Sequence, residues 1–206
     1  AVKAAYELAN GKYTAQDATT AQKGIIQLSS ATNSTSETLA ATPKAVKAAN
    51  DNAEKRLQKD QNGADIPGKD TFTKNIGACR AFGGSVSTTT GNWTTAQFIE
   101  WLDSQGAFNH PYWMCKGSWS YGNNKIITDT GCGNIHLAGA VIEVMGIKSA
   151  MTIRITTPTT STGGGTTNAQ FTYINHGTDY SPGWRRDYNS RNKPTASEIG
   201  ALPSGG

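Results

Sequence analysis

Apolar and polar positions change their rhythm along this chain, and the changes divide it. Over the first ten residues Val2, Ala5 and Ala9 recur at helical spacing and a glycine follows, which predicts a helix from Ala1 to Asn10 stopped by Gly11. Asp17 to Gln22 has turn composition, and Gly24-Ile25-Ile26-Gln27-Leu28 is a short β-prone run with Ile26 and Leu28 on one side. The polar tract from Ser29 to Ser36 then leads to the next helix, which starts at Thr42-Pro43, with Thr42 as N-cap and Pro43 where its missing N–H is harmless. It is predicted to reach Leu57 or Lys59. Along it Val46, Ala49, Ala53 and Leu57 form a narrow apolar stripe whose span of eleven residues is close to the untwisted helical period.

Residues 60–70, rich in Gly, Asn, Pro and Asp, read as a linker or sharp corner. Beyond it the rhythm becomes mainly that of strands, and all five tryptophans and all five phenylalanines lie there, so the hydrophobic core belongs to this part. One helix is predicted: Thr94-Thr95-Ala96-Gln97 forms a capping box, Phe98, Ile99, Trp101 and Leu102 give the apolar face, and Gly106 ends it. Strands are expected over Tyr112–Tyr121, Lys125–Thr130 and Ile135–Val144, then at Met151, Ile153 and Ile155 with Thr152 and Arg154 facing the other way, and again around Phe171 and Tyr173. Short strands divided by glycine-rich turns suggest a β-sandwich or a β-domain intertwined between chains. The fold class is α+β, with a helical and β repeat region over 1–59, a linker over 60–70, a mainly-β head with one helix over 71–191, and a C-terminal segment over 192–206.

The first segment is also a repeat. Ala1-Val2-Lys3-Ala4-Ala5 recurs as Ala45-Val46-Lys47-Ala48-Ala49, so one full repeat is preceded by a truncated one, and the repeats are expected to continue upstream of Ala1. The run AQKGIIQLSSATNSTSETLAATPKAVKAA resembles the tail-fibre repeat of contractile-tailed bacteriophages. The whole chain, including the closing NKPTASEIGALP, is similar to the distal part of Mu/P2-type tail fibres. The resemblance implies a fibre that is a homotrimer, carried on the virion and made in the bacterial cytoplasm, whose tip binds lipopolysaccharide and which assembles with a small dedicated chaperone. The alanine-rich stripe would then be the trimerisation surface, since it buries little per chain and small residues let three backbones approach. The same stripe can also pack on its own domain's sheet.

With 206 residues, 17% charged, and a net charge of +4 that is spread out rather than gathered into a basic block, nucleic acid is not expected as a partner. No apolar run approaches a membrane span and no leader opens the sequence, so membrane insertion and export by that route are not expected either. Cys79, Cys115 and Cys132 lack CxxC or CxxH spacing and read as buried free thiols. His110, His136 and His176 are isolated, so neither a metal nor another cofactor is expected, although one histidine per chain on a threefold axis would make a three-ligand site.

An enzyme has to be weighed, because some phage tail spikes cut polysaccharide with two opposed carboxylates. The head offers Glu100, Asp103, Asp129, Glu143, Asp179, Asp187 and Glu198. Glu100 and Asp103 sit one turn apart on a polar helix face, and Glu143, in an apolar strand, suits a hydrogen-bonded structural role. There is no GxSxG, P-loop or paired nucleophile signature. A non-enzymatic adhesin is therefore the first reading, with a polysaccharide-cleaving spike as the alternative. Sugar-binding surfaces stack rings on aromatic side chains among planar hydrogen-bonding groups, and the stretch 175–192 gathers His176, Asp179, Tyr180, Trp184, Arg185, Arg186, Asp187 and Tyr188 in a glycine- and proline-punctuated loop. These are the candidate receptor-binding residues, unless Trp184 and the tyrosines plug the base of the head. A second aromatic cluster, Trp113, Trp119 and Tyr121, is expected in the core. In the segment 192–206, Thr195 to Glu198 forms a capping box and Ile199 and Leu202 are the large aliphatic residues. Such a segment orders on contact with a partner. By resemblance that partner is the assembly chaperone, with Lys193, Pro194, Ile199 and Leu202 as its candidate contacts.

Overall fold

A computed structural model describes residues 1–11, 15–178 and 181–202. The chain divides into two compact units, Ala1–Ile66 and Pro67–Gly206.

In the first unit α1 spans Val2–Asn10 and ends at Gly11, which keeps a right-handed backbone at φ −82°, so the glycine ends the helix without the left-handed turn that glycine usually supplies. Strand β1 (Gln27–Ser29) pairs with β2 (Leu39–Ala41), a strand the polarity pattern did not announce, and the pair is parallel. A parallel pair needs a crossover, and the Ser/Thr tract supplies it: the hydroxyls of Ser29, Ser34 and Ser36 accept from the backbone N–H two residues on, at 3.1–3.2 Å, which stabilises successive tight turns. Thr42 then caps α2 (Pro43–Glu54) by accepting from Ala45 N–H at 3.3 Å, as expected, with Pro43 opening the helix. The helix stops short of the expected end. After Glu54 the chain turns, and Asp65 accepts from the backbone N–H of Gln58 at 2.7 Å. Leu57 therefore lies past α2, while Val46, Ala49 and Ala53 lie on it.

In the second unit α3 (Lys69–Asn75) occupies part of the expected linker and adds a second helix to a head expected to have one. It is a single pair of turns with no apolar stripe, which is why periodicity misses it. Strands β3 (Arg80–Val86) and β4 (Gly91–Trp93) precede α4 (Thr95–Ser104). The capping box is formed in both directions, Gln97 N–H to Thr94 Oγ1 at 3.2 Å and Thr94 N–H to Gln97 Oε1 at 2.9 Å, and Gly106 at φ +78° follows the helix. The remaining strands are β5 (Trp113–Gly117), β6 (Lys125–Ile127), β7 (Ile135–His136), β8 (Val141–Ile147), β9 (Ala150–Thr156), β10 (Gln170–Asn175) and β11 (Gly183–Asp187).

Six of them form a sheet in the order β11-β10-β9-β8-β5-β3, antiparallel except for the parallel β3–β5 pair, and β4, β6 and β7 form a smaller sheet that also contains a parallel pair, β4–β6. Two parallel pairs and a packed helix set the head apart from a plain antiparallel sandwich. The expected strand Ile135–Val144 is two strands in different sheets, because the chain turns at Gly139, φ +68°, while every residue from Ile135 to Ala140 stays buried. The alternation of β9 is as expected, with Met151, Ile153 and Ile155 inward and Thr152 and Arg154 outward. One core gathers Phe98 and Leu102 of α4, Trp113 of β5, Ile142 and Val144 of β8, and Phe171 and Tyr173 of β10, together with Ile127 and Ile135 of the small sheet.

Candidate functional site

Part of the expected recognition loop is a strand. Residues Gly183–Asp187 form the edge strand β11, paired with β10 so that Trp184 lies opposite Tyr173, Arg185 opposite Thr172, Arg186 opposite Phe171 and Asp187 opposite Gln170. Period-two alternation then sends Trp184 and Arg186 to the side of the buried Phe171 and Tyr173, and leaves Arg185 and Asp187 exposed on the other face. The Trp184 ring lies 5.2 Å from Tyr173 and 6.4 Å from Phe98 and from Phe171, and its Nε1–H donates to Thr95 Oγ1 at 2.8 Å. It is part of the packing, which corrects the expectation of a free ring. His176, Arg185, Asp187 and Tyr188 are exposed, and Asp179 and Tyr180 lie outside the described residues.

Arg186 organises the segment that follows. Its guanidinium donates to Asn192 Oδ1 at 2.6 Å and to Glu198, and sits 5.2 Å from the centre of the Tyr188 ring. Tyr188 also donates to Glu198, at 2.9 Å, and the expected capping box is present, Thr195 N–H to Glu198 Oε1 at 3.1 Å and Glu198 N–H to Thr195 Oγ1 at 3.2 Å. The Arg186 hydrogen bond, then the Thr195 N–H and the Tyr188 hydroxyl, hold the Glu198 carboxyl down at about 2, and the same contact raises the Tyr188 phenol. The segment is thus clasped to β11, while Lys193, Ile199 and Leu202 remain exposed and Pro194 is half-buried. A carboxyl depressed in the folded state stabilises it above the ordinary value of about 4.3, and that contribution is lost as pH falls through about 2. The amide signals of Thr195 and Glu198 should therefore titrate near the lower value in the intact protein, and the transition should vanish in Glu198→Gln. Titration at the ordinary carboxylate value would show that the clasp is not made.

Glu143, Asp129, Glu100 and Asp103 serve as struts. Glu143 accepts from Tyr112 Oη at 2.6 Å, a bond that pushes the Tyr112 phenol up to about 12, and lies opposite Arg154 across the β8–β9 ladder. Asp129 accepts from the N–H of Thr95 at 2.9 and 3.0 Å and from its hydroxyl at 2.7 Å, which places a negative charge at the start of α4. Glu100 and Asp103 both reach Lys148, at 2.8 and 3.0 Å. Cys115 is buried, and burial raises its thiol to about 12, but Cys79 is exposed and Cys132 half-buried, so burial of all three thiols does not hold. His110 and His136 are buried and His176 is exposed. Among the described residues no three His, Cys, Asp or Glu side chains gather as a metal site, and no helix is long and apolar enough to cross a membrane.

The second aromatic cluster also divides. Trp113 is core, as expected, but Trp119 is 65% exposed and Tyr121 36% exposed. Strand β5 ends at Gly117, and the Ser118 to Asn124 stretch, where Ser, Gly and Asn interleave with the two rings, is a loop containing one 3-10 turn, Tyr121–Asn123. That polar punctuation was the available signal.

The second unit thus carries one apolar core and several carboxylates with structural partners, while the described side chains of the first unit are almost wholly exposed. Comparison with known proteins gives the class: residues 19–60 match the phage tail fibre repeat family. The particular relatives agree with the resemblance seen in the sequence. The chain is 71% identical over 150 residues to tail fiber protein S' of Escherichia phage Mu, which covers 72% of this chain and 46% of that protein. It is 74% identical over 51 residues to the major tail fiber protein S of Escherichia phage P1, 25% of this chain and 21% of the relative. It is 64% identical over 61 residues to tail fiber protein S of phage Mu, 30% of this chain and 12% of the relative. The chain thus spans less than half the length of these relatives.

Proposed function

We propose that this chain is the distal, receptor-binding part of a bacteriophage tail fibre. In this reading it is a homotrimer and a virion component, made in the host cytoplasm with the help of a tail-fibre assembly chaperone, and it adheres to host lipopolysaccharide sugars without cutting them. The similarity to the Mu S' protein across 72% of the chain carries the reading. The repeat unit supports it physically: among its described residues only Ala45 is a buried apolar side chain, while Val2, Leu8, Ile25, Leu28, Val46 and Leu57 are exposed. So much apolar surface in so small a unit calls for cover, and two further copies of the same chain supply it. In the head, His176, Arg185, Asp187 and Tyr188 offer planar and charged groups to a receptor. The exposed Ile199 and Leu202 offer anchors to the chaperone beside a clasped Glu198.

The test is adsorption. The purified protein should bind susceptible bacteria and block adsorption of the phage, and lipopolysaccharide recovered afterwards should be unshortened; shortened glycan would replace this reading with a polysaccharide-cleaving spike. Deleting residues 199–206, which spares the Glu198 clasp, should abolish copurification with the coexpressed chaperone. Undiminished copurification would move that contact into the head.

A further inference from the structure

We infer that the cleft formed by the Thr90–Asn92 stretch, the Tyr121-bearing loop and the turn at Thr162 and Gly163 is a saccharide-binding site, with Tyr121 in its lining as one stacking ring and Trp119, exposed two residues earlier on the same loop, as a second beside it. It deepens the adhesion reading and rests on it only for the source of the sugar. Thr90, Asn92, Tyr121, His136, Thr162 and Gly163 line a cleft of about 360 Å³, within the size range of small-ligand sites.

The loop that carries the rings is stapled in place. Asn124, itself buried, donates its side-chain amide to the carbonyls of Ser118 and Ser120 at 2.9 and 2.7 Å. Tyr121 is held at both ends, its ring 5.4 Å from the His136 ring and its hydroxyl 3.2 Å from Thr160 Oγ1. Trp119 rests on Gly139, where even a Cβ would come within 2.6 Å of the indole. A large ring held in water on a fixed loop gives little to the fold, and its face is the surface on which a sugar ring stacks. Lys125, whose stem runs beside Gly91, is occupied: its ammonium donates to the carbonyls of Thr88 and Thr90 and to the Thr89 hydroxyl, and lies over the Trp93 ring at 5.2 Å.

The chemistry of the lining selects the ligand. It contains no carboxylate, lysine or arginine, so it lacks the cations that a phosphate backbone needs. His136 is buried, which lowers its basicity. Its Nδ1 lies 3.3 Å from Ser161 Oγ, and the ring also meets the Tyr121 backbone, which ties the base of the cleft to the loop that carries the rings. Gly91, Gly122 and Gly163 leave bare backbone at the rim; a Cβ on Gly163 would stand 2.5 Å from the His136 ring. Uncharged amides and hydroxyls beside a fixed aromatic face fit a polyhydroxylated, neutral ring.

The experiment titrates the fibre with oligosaccharide released from the host's lipopolysaccharide, read by saturation-transfer NMR and tryptophan fluorescence. Saturation should reach the sugar from Trp119 and Tyr121, and Trp119→Ala should weaken binding about tenfold, the loss of one stacked ring, with unchanged melting. Asn92→Ala, also exposed, should weaken binding too and serves if the tryptophan variant misfolds. Equal binding by both variants, or no oligosaccharide binding by a fibre that still adsorbs to cells, would overturn the site and leave the adhesion reading standing. Sugar binding that is lost in Trp119→Ala while the parent protein ignores cells would support the cleft and overturn adhesion.

Discussion

Trp184→Ala is expected to lower the melting temperature of the head by about 10 °C, from a loss of about 3 kcal/mol for truncating a packed tryptophan and a few degrees per kcal/mol in a unit of this size. Three losses combine. The ring leaves Tyr173, Phe171 and Phe98, which are otherwise buried; the Thr95 hydroxyl loses a donor; and the short chain of bonds from Trp184 through Thr95 to Asp129 is broken, so the edge strand is no longer tied to the start of α4. Near-UV circular dichroism during heating reports the head directly. Trp184→Phe keeps most of the ring contact and should cost about 1 kcal/mol, the worth of the lost hydrogen bond. A Trp184→Ala protein that melts normally and only fails to adsorb would restore the exposed-loop reading of this residue.

Val46→Asp should abolish assembly. Val46 is 60% exposed on α2 in the single chain, so the substitution leaves the fold of one chain untouched. In a trimer closed around the Val46, Ala49 and Ala53 face it would bring three carboxylates to one axis, and each ion removed from water costs several kcal/mol with no cation to offset it. Sedimentation should show single chains in place of trimers, with the head's thermal transition still present. Full-mass trimers of undiminished stability would show that this face of α2 looks elsewhere.

What could be read from the sequence was whatever local chemistry decides alone. The Thr94–Gln97 and Thr195–Glu198 boxes, the Thr42-Pro43 start and the alternation of Met151, Ile153 and Ile155 each state their structure within a few residues, and each is found. Pairing is a different matter. That β2 lies parallel to β1, that Ile135 to Val144 is shared between two sheets, and that Trp184 faces Tyr173 depend on partners far along the chain. The two misplaced tryptophans make the point: Trp119 and Trp184 both sit among Gly, Ser and Pro, but only Trp184 alternates in register with an apolar strand. An aromatic residue in polar company is a surface residue only when no neighbouring strand claims its face.

The parallel pairing of β1 and β2 has a further consequence. A hairpin would send the chain back along its own path, whereas here the serine turns carry it round so that it leaves the pair heading the way it entered. A module with that property can be copied without reversing the chain. Gaining or losing a whole copy would then leave both the course of the chain and the fold of the second unit as they were, so repeat number and the chemistry of the second unit are free to vary separately.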